Sequence, residues 1–360
     1  MAVETQDVVA TPAEAERLEL PPLIISDTLR EHLAGELPGE DAPLDFERIG
    51  EGHSNITYLV NRGAERFVLR RPPRPPLPPS AHDVLREWRI LDAIKDTAAR
   101  SPRTLLACAD ESVIGAPFYV MEYVEGTVIT SEIPDALDTP EEHRRMGLDL
   151  VDALSEVHAV DWRACGLEGF GKPTGYLERQ VKRFTGLWEY NKTRELPRVQ
   201  EVRDWLADNM PESPEATIVH GDYRLGNTMV ADESPARVIA IFDWELSTIG
   251  DPLADLGYMT VTWIQPGDPE DTMFSSLSAV TRRNGFPSRE ELIAYYEERT
   301  GRSMSALNWY QALALWKAAV FMEGNYKRSL AGTTDDPFLK MFDEGVPALA
   351  EAAYEISRGG

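Results

Sequence analysis

The chain has 360 residues, 42% of them hydrophobic, and its 61 acidic against 36 basic side chains leave a formal charge of −25 and a pI near 4.6. That apolar fraction excludes wholesale disorder, and the length suits two domains or one large one in two parts. The charge speaks against nucleic acid and against an anionic membrane surface as partners, though not against a nucleotide, whose phosphates a divalent cation and a few local side chains neutralise. Two cysteines, Cys108 and Cys165, make neither a disulfide framework nor a C-x-x-C pair. The acidic start MAVETQD has no basic region followed by an apolar one, and no apolar run of about 18 residues occurs. The expected location is the cytoplasm, with no membrane partner.

Residues 1–22 are polar, proline-containing and aperiodic, and read as a flexible leader or a loosely docked tail. A helix is expected in IISDTLREHLAGEL, with Ser26 as its N-cap. Three strand-like runs follow, LDFERIG, ITYLV and RFVLR. GEGHSN separates the first two, and NRGAE, a turn of hairpin length, the last two. RPPRPPLPP is a stiff surface connection, because proline suits neither a helix interior nor a central strand. SAHDVLREWRILDAI reads as an amphipathic helix with Val84, Leu85, Trp88, Leu91 and Ile94 at helical spacing. APFYVMEYVEG is a further apolar strand, ending at Gly126. Residues 23–125 are thus expected to form a small, mostly antiparallel sheet with one packed helix.

Beyond Gly126 the character changes. Thr139-Pro140-Glu141-Glu142 reads as a capping box with proline at the first helical position. The helix it opens carries Met146, Leu150, Val151, Leu154 and Val157 on one face. Residues 172–210 look helical, and ATIVHGD and RVIAIFDW are short apolar runs. Asp251-Pro252 caps DPLADLGYM, and NWYQALALWKAAVFMEGNY and DEGVPALAEAAYEI read as helices. The expected class is α+β: a small β-rich part, then a larger helical part over residues 126–360.

The chemistry concentrates in HGDYRLGN, 220–227, and IFDWE, 241–245. Asp222, Asn227 and Asp243 have the spacing that phosphoryl transfer needs. One carboxylate meets an acceptor hydroxyl, while an amide oxygen and a second carboxylate hold Mg²⁺ on nucleotide phosphates. A serine-nucleophile reading fails for want of a G-x-S-x-G elbow.

HGDYRLGN together with FDWELSTIGDPLADLG resembles the aminoglycoside phosphotransferase and choline kinase superfamily, relatives of the protein kinases, over about residues 45–330. FVLRRPP and the Asp-Trp-Glu variant look most like the branch found alone in actinobacteria or fused to acyl-CoA dehydrogenases. The resemblance implies a protein-kinase-like fold in two lobes and transfer of the γ-phosphoryl group of ATP or GTP to a small-molecule hydroxyl. In it, Asp222 resembles the catalytic base, and Asn227 and Asp243 the Mg²⁺ ligands. His220 reads as a structural support, and Asp251 and Asp255 as braces for their helix and the catalytic loop. GEGHSN resembles a shortened glycine-rich loop, in which Gly50 and Gly52 admit phosphate oxygens to backbone N–H groups and Ser54 and Asn55 add side-chain bonds. Arg70 stands where such kinases carry a lysine, with Glu87 as its helical partner. Its planar fork suits both a carboxylate and a phosphate, and neighbouring Arg71 is the alternative. MEYVEG resembles the hinge, where backbone groups of Glu122 and Val124 read the adenine edge.

The acceptor is expected beyond Asp222, near Tyr176, Arg179, Arg183, Trp188 and Tyr190 of one segment and Trp316, Glu323 and Tyr326 of another. Most of these aromatics read as core. Arg179 and Arg183, four apart, suit either an anionic acceptor or a solvated face, and the solvated face is preferred. An aminoglycoside acceptor follows from the family name; the branch resemblance points to a hydroxyacyl-CoA or another lipid-derived alcohol. The rival from another class is a non-catalytic nucleotide-binding module. A protein kinase is disfavoured by the absence of a D-F-G … A-P-E pair.

Overall fold

The computed structural model describes residues 7–39, 42–50, 55–75, 77, 82–269, 275–332, 339 and 341–359. Gly52 and Ser54 of the expected phosphate loop lie outside the described residues. Internal contacts divide the chain into two compact units. The first takes in the described residues up to Thr97 with Ser101–Glu125; the second takes in Ala98–Arg100 and the described residues from Gly126 onward.

In the first unit, β1 (Val8–Val9) pairs parallel with β2 (Ile24–Ile25), and α1 (Pro12–Ala15) lies between them with a Thr11/Glu14 capping box. The stretch expected to be a flexible leader or a loosely docked tail is docked from Asp7 onward. Its carboxylate accepts from Arg74 Nη2 at 2.6 Å, and its carbonyl accepts from the N–H groups of Leu23 and Ile24. A two-residue strand has no periodicity, so composition alone hides it. Helix α2 (Ser26–Leu33) begins on Ser26 itself, and no side chain caps it. Strands β3 (Leu44–Ile49), β4 (Ile56–Arg62), β5 (Glu65–Arg71), β6 (Thr104–Cys108) and β7 (Phe118–Glu122) form an antiparallel sheet in the order β3-β4-β5-β7-β6. Strand β7 stops at Glu122, short of Gly126. Tyr58, Val60, Phe67, Leu69 and Phe118 bury their side chains with Leu29 and Leu33 of α2. Each such side chain contributes about 1.5–3 kcal/mol of hydrophobic stabilisation.

Helix α3 (Val84–Ile94) is capped by Asp83, which accepts from the Arg86 N–H at 3.0 Å. Its inner stripe is Val84, Glu87, Ile90, Leu91 and Ile94, so Leu85 and Trp88 are only half-buried. The stripe differs from the expected one because Glu87, a charged residue that apolar periodicity passes over, turns inward to Arg70.

The second unit runs β8 (Thr127–Val128), α4 (Pro140–His158), α5 (Tyr176–Asn191), α6 (Pro197–Asp208), β9 (Thr217–Val219), β10 (Thr228–Val230), β11 (Val238–Ile241), β12 (Thr248–Gly250), α7 (Leu253–Thr262), α8 (Ser275–Ser278), α9 (Arg289–Thr300), α10 (Leu307–Leu330) and α11 (Phe342–Ser357). Thr139 caps α4, accepting from the Glu142 N–H at 3.3 Å, but the capping box is not closed. Glu142 instead accepts from Ala236 N at 2.5 Å and Ser234 Oγ at 2.9 Å. The expected inner face of α4 is wholly buried. Antiparallel pairs β12-β9 and β11-β10-β8 flank the 220–227 loop in sequence. Helix α10 packs on α5, α7 and α11. Its Trp309 and Trp316 are buried, with their indole N–H groups donating to Leu206 O at 3.0 Å and Val199 O at 2.9 Å. Gly257 of α7 faces Tyr310 so closely that a Cβ would stand 2.7 Å from its carbonyl carbon. Among the described residues, no helix is long and apolar enough to cross a membrane.

Candidate active site

In the second unit, strand β9 delivers the loop 220–227, and a 3-10 turn at Leu225–Asn227 returns the chain into β10. Asn227 Nδ2 donates to Asp222 Oδ2 and to the Asp222 carbonyl, both at 2.8 Å. The Phe242 N–H donates to the Asn227 carbonyl at 2.8 Å, which continues the β10-β11 register and sets Asp243 beside the loop. Asp243 itself adopts φ 63°, ψ 57°, a left-handed conformation that costs a non-glycine residue roughly 1–2 kcal/mol. The three residues singled out by spacing are thus brought together. Asp222 is half-buried, and burial pushes its carboxyl above the ordinary range, against the pull of Arg224 and a hydrogen bond from Tyr258.

The loop is braced from behind by Asp255 of α7. Its two carboxylate oxygens accept from the N–H groups of His220 and Gly221, each at 2.7 Å. His158 Nε2 donates to the same carboxylate at 3.2 Å, and His158 Nδ1 accepts from the Tyr296 hydroxyl at 2.7 Å. Burial works against the charge of Asp255, yet these bonds hold its carboxyl below the ordinary range. His220 Nε2 donates to the Phe242 carbonyl at 2.8 Å, which leaves Nδ1 to accept from the Asp222 N–H at 3.3 Å. His220 is therefore a support. Asp251 accepts from the Leu253 N–H at 3.0 Å and the Tyr310 hydroxyl at 2.8 Å, bracing α7.

Sequence reading missed three residues here. Tyr258 of α7 hydrogen-bonds Asp222, and burial together with that carboxylate pushes its phenol well above the ordinary value. Its signal was its place one helical turn after Asp255. His158 and Tyr296 lie far from the motif in sequence and carried no signal.

In the first unit, Arg70 of β5 faces Tyr119 of β7 and Thr57 of β4 in the sheet register. Its Nε donates to Glu87 Oε2 at 2.8 Å, with the two side chains 14% and 2% exposed. Arg71, on the opposite face of the strand, is buried and its guanidinium is taken by the carbonyls of Leu23, Pro72 and Ile114. Gly50 adopts φ 77° at the end of β3, and Asn55 is buried at the head of β4. Glu122 closes β7. Its N–H donates to the Arg103 carbonyl and its carboxylate accepts from the Arg103 N–H, both at 2.9 Å. After it, an open hollow of about 430 Å³ is lined by Arg66, Glu122, Tyr123, Val124 and Glu125. The Arg66 guanidinium lies 4.5 Å from the Tyr123 ring centroid.

Of the expected acceptor residues, Tyr176, Trp188 and Trp316 are core and Tyr190 is exposed. Glu323 is buried and accepts from the N–H and hydroxyl of Thr193 at 2.9 and 2.7 Å and from Arg194 at 3.4 Å. Tyr326 stacks under Arg194. Arg179 donates to the carbonyls of Thr174 and Lys172.

The chain is 34% identical over 335 residues to acyl-CoA dehydrogenase family member 11 of Homo sapiens, covering 92% of this chain and 42% of that protein. It is 32% identical over 336 residues to family member 10 of Mus musculus, covering 93% of this chain and 31% of that one. It thus spans less than half the length of these curated relatives. Among solved structures, a candidate aminoglycoside phosphotransferase of Ralstonia eutropha shares its fold with a TM-score of 0.79 at 31% identity, over 92% of this chain and 98% of that one. A spectinomycin phosphotransferase in complex with ADP and spectinomycin has a TM-score of 0.59 at 13% identity, over 92% and 98% of the two chains, which is likeness of fold alone. The sheet-rich first unit and helical second unit therefore make the α+β fold of this kinase-like class. The sequence pattern of the phosphotransferase enzyme family runs through residues 45–292, well over half of the chain, and the chain belongs to that family.

Proposed function

We propose that the protein is a small-molecule kinase, transferring the γ-phosphoryl group of ATP or GTP to a hydroxyl group, with Asp222 as the catalytic base. The observation that carries this reading is the linkage of Asp222, Asn227 and Asp243 through the Asn227 amide and the Phe242 N–H. In the reaction, the acceptor oxygen bonds to the γ-phosphorus, the bond to the β–γ bridging oxygen breaks, and the nucleoside diphosphate leaves. The Asp222 carboxylate orients the hydroxyl and takes its proton. A carboxyl raised by burial is the stronger base, and the Asn227 and Tyr258 hydrogen bonds fix its orientation.

The donor set suits Mg²⁺. Because Asn227 spends its Nδ2 on Asp222, its Oδ1 is the atom left to face a cation, and Asp243 adds one carboxylate. Among the described residues no cluster of three His, Cys, Asp or Glu side chains forms a closed site. A cation held by two protein groups would be completed by phosphates and water. Asn227 and Asp243 would hold Mg²⁺, which would supply charge neutralisation at the β- and γ-phosphates.

Residues 23–125 are proposed as the nucleotide-clamping part, with Arg70 on the phosphates, preset by Glu87, and residues 126–360 as the part holding the catalytic loop and acceptor site. Arg70 is preferred to Arg71, whose guanidinium already serves three carbonyls. Gly50, Gly52, Ser54 and Asn55 would line the phosphates. Glu122 and Val124 would read the base through backbone groups, beside a hollow whose volume falls in the range of small-ligand sites. The names of the curated relatives favour a hydroxyacyl-CoA or another lipid-derived alcohol over an aminoglycoside as acceptor. The cytoplasm is the proposed location.

The test is thermal unfolding with ATP or GTP, with and without Mg²⁺, on the wild type and on Asp222→Asn. A nucleotide at 100 times its Kd stabilises by about 2.7 kcal/mol, a shift of a few degrees. The variant should keep that shift and lose turnover by about 10²–10⁴-fold. No Mg²⁺-dependent shift at millimolar nucleotide, or full turnover in the variant, refutes the reading.

A further inference from the structure

Most cations of this acidic chain are committed to protein partners: Arg70 to Glu87, Arg100 to Asp149 and Glu156, Arg194 to Glu323 and Asp343, Arg289 to Asp268. Lysine and arginine side chains of the packed helices α5 and α10 include two that differ and lie together. Lys317 of α10 and Arg183 of α5 form no ion pair or side-chain hydrogen bond with any described residue. Both stand over the ring of Phe184, with the ammonium 4.9 Å and the guanidinium carbon 6.0 Å from its centroid. That ring lies 6.3 Å from the ring of Trp316, so the pair rests on the α5/α10 contact. Helix α10 also packs on α7, whose Asp255 and Tyr258 hold the loop of Asp222, and the charges of Asp222 and Asp255 act on Lys317. Their own oxygens, however, are engaged by Asn227 and Tyr258, and by His158 and two backbone N–H groups.

This arrangement is costly by itself. Burial and the charge of Arg183 disfavour the Lys317 ammonium and push it down to about 8. A chain of net charge −25 has no shortage of carboxylates with which to pair them. Two like charges held together, one of them half-buried, are stabilised by a bound anion. Glu323, further along α10, is occupied by Thr193 and Arg194 and does not offer a free carboxylate to a polycation. Arg183 is exposed, so the pair is open to solvent.

We infer that Lys317 and Arg183 form an oxyanion subsite for the acceptor, so that the hydroxyl compound phosphorylated at Asp222 carries a carboxylate or a phosphate. They are specificity-determining residues of the proposed reaction. The identity of the anion as part of the acceptor rests on the phosphotransferase reading; its binding does not.

The test labels the intact 360-residue chain with aldehydes, trapping the imine formed at each lysine with cyanoborohydride and mapping the modified peptides. Pyridoxal 5′-phosphate against 5′-deoxypyridoxal, which lacks the 5′-hydroxyl that would mask the aldehyde as a hemiacetal, is the phosphate arm, and 4-carboxybenzaldehyde against its methyl ester the carboxylate arm. In at least one arm the charged aldehyde should modify Lys317 about tenfold faster than its neutral match. Exposed Lys172 and Lys182 should show no such preference. Arg183→Met should reduce the preference at Lys317 without changing the shift that Mg²⁺ and nucleotide produce in thermal unfolding. Equal rates for charged and neutral aldehydes at Lys317 in both arms overturn the subsite. A preserved preference without any Mg²⁺-dependent nucleotide shift overturns the kinase reading and leaves the anion site standing.

Discussion

Asp255→Asn tests how the catalytic loop is held. In the wild type, one carboxylate accepts the N–H groups of both His220 and Gly221 at 2.7 Å, and His158 at 3.2 Å, in a fully buried setting. An asparagine keeps one oxygen and turns an NH₂ group toward a second donor. One charge-assisted bond is lost and a buried N–H is left facing another donor. That costs about 2–4 kcal/mol, or roughly 3–5 °C in Tm for a chain of this length. Because His220 and Gly221 precede Asp222 directly, relaxation of their backbone also displaces the base, and a displacement of about 1 Å costs on the order of 10²-fold in rate. Thermal unfolding reads the first effect, and amide hydrogen exchange at His220 and Gly221 reads the second independently of any acceptor. A variant with wild-type Tm and unchanged exchange at these two amides would refute the brace.

Two further outcomes follow from the same geometry. Arg70→Lys keeps a charge beside Glu87 but loses the planar fork, so it should fold normally and bind nucleotide about tenfold more weakly; Arg70→Met takes the cation from a carboxylate that is 2% exposed and should cost about 3 kcal/mol or more in chemical denaturation. Undiminished nucleotide affinity in both variants would remove Arg70 from the clamp. The second concerns pH. Burial lowers the imidazole pKa of His158 below its ordinary 6.5 in the folded state. The unfolded chain then takes up the proton first, so the contribution is complete above about pH 6.5 and declines as pH falls, by up to about 1.4 kcal/mol per pH unit. Urea midpoints at about pH 7.5 and 5.5 should show this decline in the wild type and a shallower one in His158→Gln, and identical slopes would count against it.

Much of the site was legible because its chemistry is local in sequence. Asp222 and Asn227 share one loop, and Asp243 follows on the next strand, so spacing alone predicts their meeting. The Arg70–Glu87 pair was legible for a different reason: a strand followed by a helix placed a guanidinium and a carboxylate within reach, and the family resemblance supplied the pairing. What spacing misjudged were short-range competitions. Glu142 abandons the Thr139 capping box because the Ala236 N–H and Ser234 hydroxyl offer it a buried partnership. Ser26 starts a helix instead of capping it. The N-terminal stretch docks through a two-residue parallel pairing too short to leave a pattern.

Alternation and helical periodicity in the sequence determine a β-rich first part and a helical second part, because burial of one face imposes a period on the residues that form it. Motif spacing likewise determines which carboxylates converge. Only the tertiary structure decides how those carboxylates are supported and surrounded. His158 of α4 and Tyr296 of α9 stand behind Asp255, Tyr258 of α7 reaches Asp222, and Lys317 and Arg183 share the ring of Phe184 from α10 and α5. Such partners are separated by long stretches of chain, and hydrogen bonds and charges act through space. No local rule of composition or period records them until the helices have packed.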